Sequence, residues 1–578
     1  MNPSLSWRYG LVAALLGLMA LAIIVQIVRI QTDPEIHALI GRSETVVRYY
    51  YPARGNIYDR DGHLLAGNIT VYEVTVSLPE MKPEDIHPIA LAAQVYLGRD
   101  YETVATLLAN PPNGAVSVRI ADYVSVEQVE QLQSFMNSLM NDPNGNPLAS
   151  LGFRAHLGRS YPEGELASNV LGFVTQNEAG YFGVEARYNN LLSGIPVALR
   201  VPVDPRRAVE WPQIPPGASI ILTIDRELQK ETEEILDRAL SETGAESGVI
   251  IVMNPRNGEI LALATTPRIH PAEYYRLPEV FPGETPFNRA ISQAYEPGSV
   301  MKILTMAAAL DAGVVTPGTL YFDTGVINVG GQNIYNWDRG AWGYQDMTGC
   351  LAYSLNTCLS WVASQLGAEK FYDYMQAFGI GHPTGIDLDG EITGRLKLPG
   401  DEDWTPVELA TNSFGQGVSV TPMQLVMAAS ALANHGQMVY PHVLYATVQD
   451  GQQHTVVPQI AGQPIRPETA RTISEMLAVA LEQEGKRALT PGYRVAGKTG
   501  TAQIPTRYGY DPELTNASFI GWGPVDDPQF LIFVWLEKPR SSPWGSVVAA
   551  PVFQQVVEKT VVLLGIPPDS VRAQWAGR

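Results

Sequence analysis

A long apolar run near the amino terminus constrains this chain more than any other feature of its sequence. The run extends from Leu11 to Val28 and is interrupted only by Gln26. Eighteen helical residues span about 27 Å, close to the hydrocarbon thickness of a bilayer, roughly 30 Å. An A-x-A pattern, Ala20-Leu21-Ala22, lies inside the run, whereas a signal-peptide cleavage site follows it. The sequence therefore predicts an uncleaved transmembrane anchor at residues 11–30, after a short cytoplasmic tail at residues 1–10.

The composition of the remaining chain is that of a folded, loop-rich protein. Hydrophobic residues make up 45% of the 578 residues, and 52 Gly with 43 Pro favour an α/β or β protein over a helical bundle. The net charge is −20 without a basic run, which excludes a nucleic-acid partner. Two cysteines are too few for a structural zinc site, and none of the nine histidines is followed by Glu. We therefore expect no metal and no cofactor.

A proline-rich stretch divides the chain after the anchor. Residues 201–216 contain five prolines, a composition typical of a stiff linker, and we place a domain boundary between residues 215 and 216. Before it, β-branched residues predict a strand over Thr70–Val76, and residues 81–150 are expected to be mostly helical. After it, Asp225 is an expected helix N-cap, and two apolar runs around Asn254–Gly258 predict a hairpin. Further strands are predicted over Ser518–Trp522 and Phe530–Trp535, and helices over 300–312, 348–379, 422–435 and 551–564.

Ser299 and Lys302 form a candidate nucleophile–base pair at the start of a predicted helix. Residues three apart share one face of a helix, so Lys302 Nζ can reach Ser299 Oγ. A serine hydroxyl is a weak nucleophile and needs a base, and a lysine can serve if desolvation and a nearby cation lower its pKa. Taken alone, the pair is better explained by an N-cap serine beside a solvated lysine.

Two further motifs favour the catalytic interpretation of Ser299 and Lys302 over the structural one. Lys302 is the only one of nine lysines with Ser three positions before it, Ser354-Leu355-Asn356 is the only S-x-N, and Lys498-Thr499-Gly500 is the only K-T-G. The three motifs occur in this order in serine acyl-transfer enzymes.

On these motifs the chain resembles the class B penicillin-binding proteins, the monofunctional D,D-transpeptidases of bacterial cell-wall synthesis, over nearly its whole length. Leu355, in the middle of S-x-N, departs from the small residue or Cys that is common in the family. Further segments that closely match sequence signatures of the family are Arg54–Arg60, Arg159–Pro162, Gly183–Glu185, Tyr295–Ser299, Ser413–Gly417, Gly497–Gln503 and Ala549–Phe553.

The resemblance implies a fold and a domain order. We expect an α/β (α+β) transpeptidase domain at residues 216–578, with a five-stranded antiparallel sheet flanked by helices. An elongated α+β pedestal, the non-penicillin-binding or dimerisation domain, is expected at residues 31–215. The transmembrane helix precedes both.

The resemblance also implies roles for the motif residues. Ser299 would attack the penultimate D-Ala carbonyl of a stem peptide, Lys302 would take its proton, and Ser354 would relay a proton to the leaving amine. Lys498 would supply positive charge near the terminal carboxylate. The expected substrate-binding residues are Asn356, Thr499, Gly500 and Thr501, and the backbone N–H groups of Ser299 and Thr501 would form the oxyanion hole.

The implied partners are D-Ala-D-Ala stem peptides, β-lactams as inhibitors, and a SEDS-family glycan polymerase. Because the peptide substrate lies outside the cytoplasmic membrane, we expect the large domain there. The positive-inside count (Arg8 before the anchor; Arg29, Arg42 and Arg48 after it) favours the opposite orientation, but that rule weakens when a large domain follows. Outside the cell Cys350 and Cys358 could pair, and we favour two buried thiols.

Several alternatives stay open. A β-lactamase or β-lactam sensor shares the three motifs, but these proteins are smaller or cross the membrane several times. A non-catalytic scaffold of the wall-synthesis machinery is disfavoured because the motif residues are present. Division and lateral-wall elongation roles are not separated: Ser413–Gly417 and Asp526–Phe530 favour division, whereas Asn336-Trp337-Asp338 favours elongation. We favour division.

Overall fold

A computed structural model describes residues 3–33, 45–140, 145–202, 214–283, 285–506 and 509–576, which form two compact units. The smaller unit comprises residues 1–53 and 193–217. It contains one long helix, Pro3–Thr32, and an antiparallel pair of strands, Thr45–Tyr50 and Val197–Pro202. Within residues 7–32 an 18-residue window has a mean hydropathy of 2.8 and contains no buried residue, so this helix is the candidate membrane anchor. Most of the predicted linker, residues 203–213, lies outside the described residues, as does Arg42.

The larger unit is built around a five-stranded antiparallel sheet, as predicted. In chain order its strands are β1 (Ser247–Met253), β2 (Ile260–Thr265), β3 (Ala496–Thr506), β4 (Gly509–Gly523) and β5 (Phe530–Glu537). The spatial order is β2-β1-β5-β4-β3, so β3 lies at one edge. Strands β1, β2 and β5 are buried on both faces, which explains their almost unbroken apolar sequences.

Two helical layers cover the sheet, because side chains alternate between its faces. Ile250 and Val252 pack with α1 (Arg226–Thr243) and α7 (Gly545–Leu563). Val249 and Ile251 face the opposite layer. That layer contains α2 (Lys302–Asp311), α3 (Met347–Ala352), α4 (Asn356–Leu366), α5 (Pro422–Ala433) and α6 (Pro467–Glu484).

A second sheet of seven strands was not predicted. Its central strand, Ser219–Leu222, runs parallel to Ile57–Tyr58 and antiparallel to Leu444–Gln449. The pedestal region therefore shares a sheet with the region after residue 216, and the boundary at 215/216 stays a prediction. The other strands of this sheet are Leu64–Ser77, Ser117–Val124, Leu151–Ser160 and Gln452–Thr455.

Shorter elements complete the unit. Its remaining helices are Ile86–Leu97, Tyr101–Ala109, Val126–Ser138, Ser168–Leu171, Gly183–Arg187, Leu277–Val280, Arg289–Ser292, Ala368–Ala377, Pro406–Asn412 and Asp569–Ala576, with Asn189–Ser193 leading out of it. Its remaining strands form two-stranded pairs: Phe173–Val174 with Gly180–Tyr181, Tyr321–Asp323 with Gly343–Gln345, Val326–Val329 with Gln332–Tyr335, and Met438–Val439 with Ile460–Gly462.

Most predicted elements are present with shifted ends. Asp225 caps α1 by accepting from the Leu228 N–H at 3.0 Å, and the hairpin at Asn254–Gly258 is confirmed. Helix α7 begins six residues before Pro551, which lies inside it. The predicted helix over 348–379 is three helices. Within 81–150 the structure adds the strand Ser117–Val124, whose buried residues pair with the long pedestal strand.

Candidate active site

The candidate nucleophile lies where the start of α2 meets the edge strand β3. Ser299 belongs to a 3₁₀ turn, Gly298–Met301, that leads directly into α2. Gly298 has φ +55°, and a Cβ there would lie 2.7 Å from the carbonyl oxygen of Thr501. Only glycine permits this close approach, which brings Ser299 next to the K-T-G strand.

A chain of hydrogen bonds joins the first two motifs. Ser354 Oγ donates to Ser299 Oγ at 3.1 Å. Lys302 Nζ lies 3.1 Å from Ser354 Oγ and can donate to the Ser354 carbonyl at 2.6 Å and to Asn356 Oδ1 at 2.8 Å. The direct Lys302–Ser299 pairing expected from helical spacing is therefore replaced by a connection through Ser354.

The electrostatics of the site favour a neutral Lys302. Its side chain is fully buried, and burial, followed by the positive charge of Lys498, lowers the pKa of Lys302 well below its usual value. Burial also lowers the pKa of Lys498, to about 8. The shift at Lys302 favours its neutral, proton-accepting form, and a pKa of about 8 leaves most Lys498 side chains charged at neutral pH.

The S-x-N motif forms a tight turn between α3 and α4. Ser354 adopts a left-handed backbone conformation with φ +57°, which directs both its carbonyl and its hydroxyl to Lys302. Asn356 is the first residue of α4, and its Nδ2 donates to the Tyr335 carbonyl at 3.0 Å. Leu355 is fully buried in the core, so the departure from the family pattern at this position faces away from the reaction.

The expectation of two free thiols is wrong, because Cys350 and Cys358 form a disulfide. Cys350 lies in α3 and Cys358 in α4, and the sharp turn at Ser354 folds these helices back on each other. Their Cα atoms are 6.1 Å apart, within the range a disulfide spans. The bond thus closes the turn that carries Ser354 and Asn356.

The K-T-G motif lies on β3. Lys498 is 5% exposed, and its Nζ is 3.4 Å from both the carbonyl and the hydroxyl of Thr499. Gly500 packs against the nucleophile turn, since a Cβ there would lie 2.8 Å from Val300 Cγ2. Thr501 Oγ1 accepts from the Gly545 N–H at 3.0 Å, which leaves its own hydroxyl proton free to point into the cleft. The structure therefore brings the three motifs together: hydrogen bonds join the first two, and the K-T-G strand packs against the turn that carries Ser299.

A buried polar cluster behind the S-x-N turn was missed by the sequence analysis. Asp323 accepts from Thr357 Oγ1 at 2.6 Å and from Asn336 Nδ2 at 2.8 Å, and all three side chains are at most 2% exposed. Asn336 follows Tyr335, whose carbonyl holds Asn356, so the cluster orients Asn356 indirectly. The tripeptide Asn336-Trp337-Asp338 is the nearest sequence signal to this cluster.

Comparison with known families gives two matches along the chain. A family model described as "Penicillin binding protein transpeptidase domain" matches residues 248–558. A second one, "Penicillin-binding Protein dimerisation domain", matches residues 49–211. The first match covers more than half of the chain and contains all three motifs.

Individual relatives align over most of their length. Stage V sporulation protein D of Bacillus subtilis is 32% identical over 533 residues, which cover 90% of this chain and 79% of that protein. Peptidoglycan D,D-transpeptidase FtsI of Escherichia coli is 28% identical over 588 residues, which cover 98% of this chain and 93% of that protein. The crystal structure of Penicillin Binding Protein 2X from Streptococcus thermophilus shares the fold, with a TM-score of 0.73 at 23% identity over 89% of this chain and 80% of that chain.

Proposed function

The chain belongs to the class B penicillin-binding proteins, the peptidoglycan D,D-transpeptidases of the bacterial cell wall, and we propose that Ser299 is its nucleophile. The observation that carries this assignment is the continuous contact from Ser299 Oγ through Ser354 Oγ to the buried Lys302 Nζ. A neutral amine at the end of this chain is the base that a serine nucleophile needs.

In the acylation step, Ser299 Oγ attacks the carbonyl carbon of the penultimate D-Ala. The proton of Ser299 passes to Ser354 Oγ, which gives its own proton to Lys302 Nζ. The backbone N–H groups of Ser299 and Thr501 stabilise the oxyanion of the tetrahedral intermediate. The C–N bond then breaks, the terminal D-Ala leaves as an amine after receiving the proton back through Ser354, and an ester on Ser299 remains.

In the second step an amine from a neighbouring stem peptide attacks this ester. Its surplus proton returns along the same hydroxyl–amine chain to Ser299 Oγ as the ester bond breaks, and a peptide cross-link is formed. During the acylation step, Lys498 and the hydroxyls of Thr499 and Thr501 hold the terminal carboxylate of the donor, which then departs with D-Ala, and the Asn356 amide binds the donor backbone. Gly500 keeps β3 free of a side chain that would separate it from the nucleophile turn.

Covalent labelling with a fluorescent penicillin tests this assignment. The adduct is expected on Ser299, and Ser299→Ala should abolish labelling with its unfolding temperature unchanged. Ser354→Ala should slow acylation by about 10²–10⁴-fold, the usual contribution of positioned proton transfer. Val547→Ala, on the exposed face of α7, is the matched control and should label at the wild-type rate. Undiminished labelling of either serine variant would contradict the mechanism.

We also propose an extracytoplasmic position for the larger unit. The substrate chemistry supports it, because peptidoglycan stem peptides are cross-linked outside the cytoplasmic membrane, and the apolar helix Pro3–Thr32 supports anchoring. Protease added to intact spheroplasts should digest the larger unit. Digestion only after permeabilisation would reverse the orientation.

A SEDS-family polymerase is the proposed partner, and septal synthesis is the proposed setting, with lateral-wall elongation as the second candidate. Ser413–Gly417 supports the first role and Asn336-Trp337-Asp338 the second. A fluorescent fusion at midcell of dividing cells would support division, whereas a fusion along the side wall would support elongation. Co-purification of the polymerase with the full-length chain from detergent extracts tests the partnership.

A further inference from the structure

A carboxylate three residues before the candidate nucleophile joins three segments of the active site. Glu296 Oε1 and Oε2 accept from the Tyr510 hydroxyl at 3.1 and 3.0 Å. The Gly417 N–H donates to Glu296 Oε1 at 3.2 Å. Glu296 lies two residues before the nucleophile turn, Gly298–Met301, whereas Tyr510 lies near the start of β4 and Gly417 belongs to the loop that follows residue 412.

The same segments are already in close contact at the oxyanion-hole residues. The Gly298 N–H donates to the Gly415 carbonyl at 3.0 Å, which places the 415–417 loop against the nucleophile turn. Gly298 and Gly500 then bring this turn and β3 together without an intervening side chain. A shift of β3 along this contact would change the separation between the backbone N–H groups of Ser299 and Thr501.

Tyr510 is well placed to oppose such a shift. In the β3–β4 ladder it pairs with Pro505, four residues beyond Thr501 on the same strand. The ladder holds the edge strand β3 on one side only, because β4 is its sole neighbour in the sheet order. The Tyr510–Glu296 hydrogen bond attaches the far end of this hairpin directly to the nucleophile turn.

The surroundings of Glu296 maintain the hydrogen bond in which the Tyr510 hydroxyl donates to the Glu296 carboxylate. The carboxyl is partly buried, and Lys397 lies near it but is paired with Glu408 at 2.9 Å. Burial raises the pKa of Glu296, while the Tyr510 hydroxyl and the Gly417 N–H act in the opposite direction. Burial and the neighbouring carboxylate raise the pKa of Tyr510, so its hydroxyl remains a donor at neutral pH.

We propose that Tyr510 is a positioning residue of the transpeptidase: held by Glu296, it fixes the β3–β4 hairpin against the nucleophile turn and sets the spacing of the two oxyanion-hole N–H groups. This rests on the proposed function, in which the N–H groups of Ser299 and Thr501 bind the oxyanion. Tyr510 acts through β3 and does not touch the substrate.

Tyr510→Phe removes the hydroxyl and keeps the ring. The full-length protein in detergent is mixed with a fluorescent penicillin, and the acylation rate constant is separated from the dissociation constant of the initial complex. We expect the acylation rate constant to fall about tenfold or more, within the roughly hundredfold that a 1 Å misplacement can cost. The dissociation constant and the unfolding temperature should stay at their wild-type values. Tyr275→Phe, whose side chain is exposed, is the matched control.

Variants of Glu296 separate positioning from general stability. Glu296→Gln keeps a carbonyl oxygen for the Tyr510 hydroxyl and should acylate within about threefold of wild type. Glu296→Ala should lose as much as Tyr510→Phe, and the double variant should lose no more than either single one, because one contact is removed in each case. Additive losses, or a loss in Tyr510→Phe no larger than in Tyr275→Phe, would overturn the proposal. Labelling that persists in Ser299→Ala would instead overturn the proposed function.

Discussion

The pH dependence of acylation should report the titration of Lys498. This side chain is 5% exposed and has a pKa lowered to about 8 by burial, so its charge is lost within an experimentally accessible range. Its proposed role is to attract the carboxylate shared by the stem peptide and by penicillin. Loss of that charge should lower the rate constant of acylation while the nucleophile Ser299 itself stays unchanged.

The size of the effect follows from the fraction of Lys498 that is protonated. With a pKa of about 8, roughly nine-tenths of the side chains are charged at pH 7 and roughly one-tenth at pH 9. The second-order rate constant of acylation should therefore fall about tenfold across this interval. Lys302 does not produce this fall, because it acts in the neutral form and its deprotonation as the pH rises would speed acylation.

Stability should change in the opposite direction over the same range. The folded pKa of Lys498 lies below the usual value of 10.5, so between about pH 8 and pH 10.5 the unfolded state binds more protons. The free energy of unfolding therefore gains from this group as the pH rises, by about 3 kcal/mol once both values are passed. A fall in acylation combined with undiminished stability excludes alkaline unfolding as its cause.

The assay is stopped-flow acylation by a fluorescent penicillin between pH 6 and pH 10, with thermal unfolding measured in the same buffers. Lys498→Arg stays charged throughout this pH range and should acylate more slowly at pH 7 but without the alkaline fall in rate. Lys559→Arg replaces a half-exposed lysine that pairs with Glu231 and should keep the alkaline fall. A flat wild-type profile to pH 10, or an alkaline fall that survives in Lys498→Arg, would refute the role given to Lys498.

Three further outcomes are expected. Gly298→Ala should lower the free energy of unfolding by about 1–3 kcal/mol and slow acylation, because φ is +55° at this position and the new Cβ would meet the Thr501 carbonyl. Normal acylation by this variant would contradict the close contact. Reduction of the disulfide between Cys350 and Cys358, which are 8 residues apart in sequence, should lower the free energy of unfolding by about 2.5 kcal/mol. An unchanged unfolding temperature under reductant would show that the bond is absent. The penicilloyl ester should persist. Class A β-lactamases clear this ester with water activated by a glutamate in an E-x-x-L-N segment, whereas Glu408-Leu-Ala-Thr-Asn412 has Thr411 in place of that leucine and Glu408 pairs with Lys397. Release of hydrolysed penicillin within seconds would favour a β-lactamase.

The sequence named candidate site residues but not the contacts that connect them. The eight motif residues could be named because each motif occurs once and in the family order. The connection of Lys302 to Ser299 through Ser354 could not be predicted, because it depends on how α2 and the S-x-N turn approach each other. The contacts of Glu296 with Tyr510 and Gly417 were hidden for the same reason, since these residues lie more than a hundred positions apart.

The fold was predicted where patterns are local and missed where pairing is distant. The strands β1, β2 and β5 have apolar runs that need no partner to be recognised. The parallel pairing of Ile57–Tyr58 with Ser219–Leu222 joins segments about 160 residues apart, and no local signal specifies it. The disulfide was judged wrongly because a separation of 8 residues fits two buried thiols in one helix, whereas the break at Ser354 makes two helices of it.

The S-x-N turn shows how the fold maintains an unfavourable local conformation for chemistry. A non-glycine residue with φ near +57° costs about 1–2 kcal/mol, so Ser354 needs support from its surroundings. The disulfide closes the turn on one side, and the buried Asp323–Asn336–Thr357 cluster fixes the start of α4 on the other. With the backbone held in this way, the carbonyl and hydroxyl of Ser354 can both contact Lys302 while the hydroxyl also reaches Ser299. The turn is therefore arranged for proton transfer before the substrate arrives, which removes a reorganisation that would otherwise slow acylation.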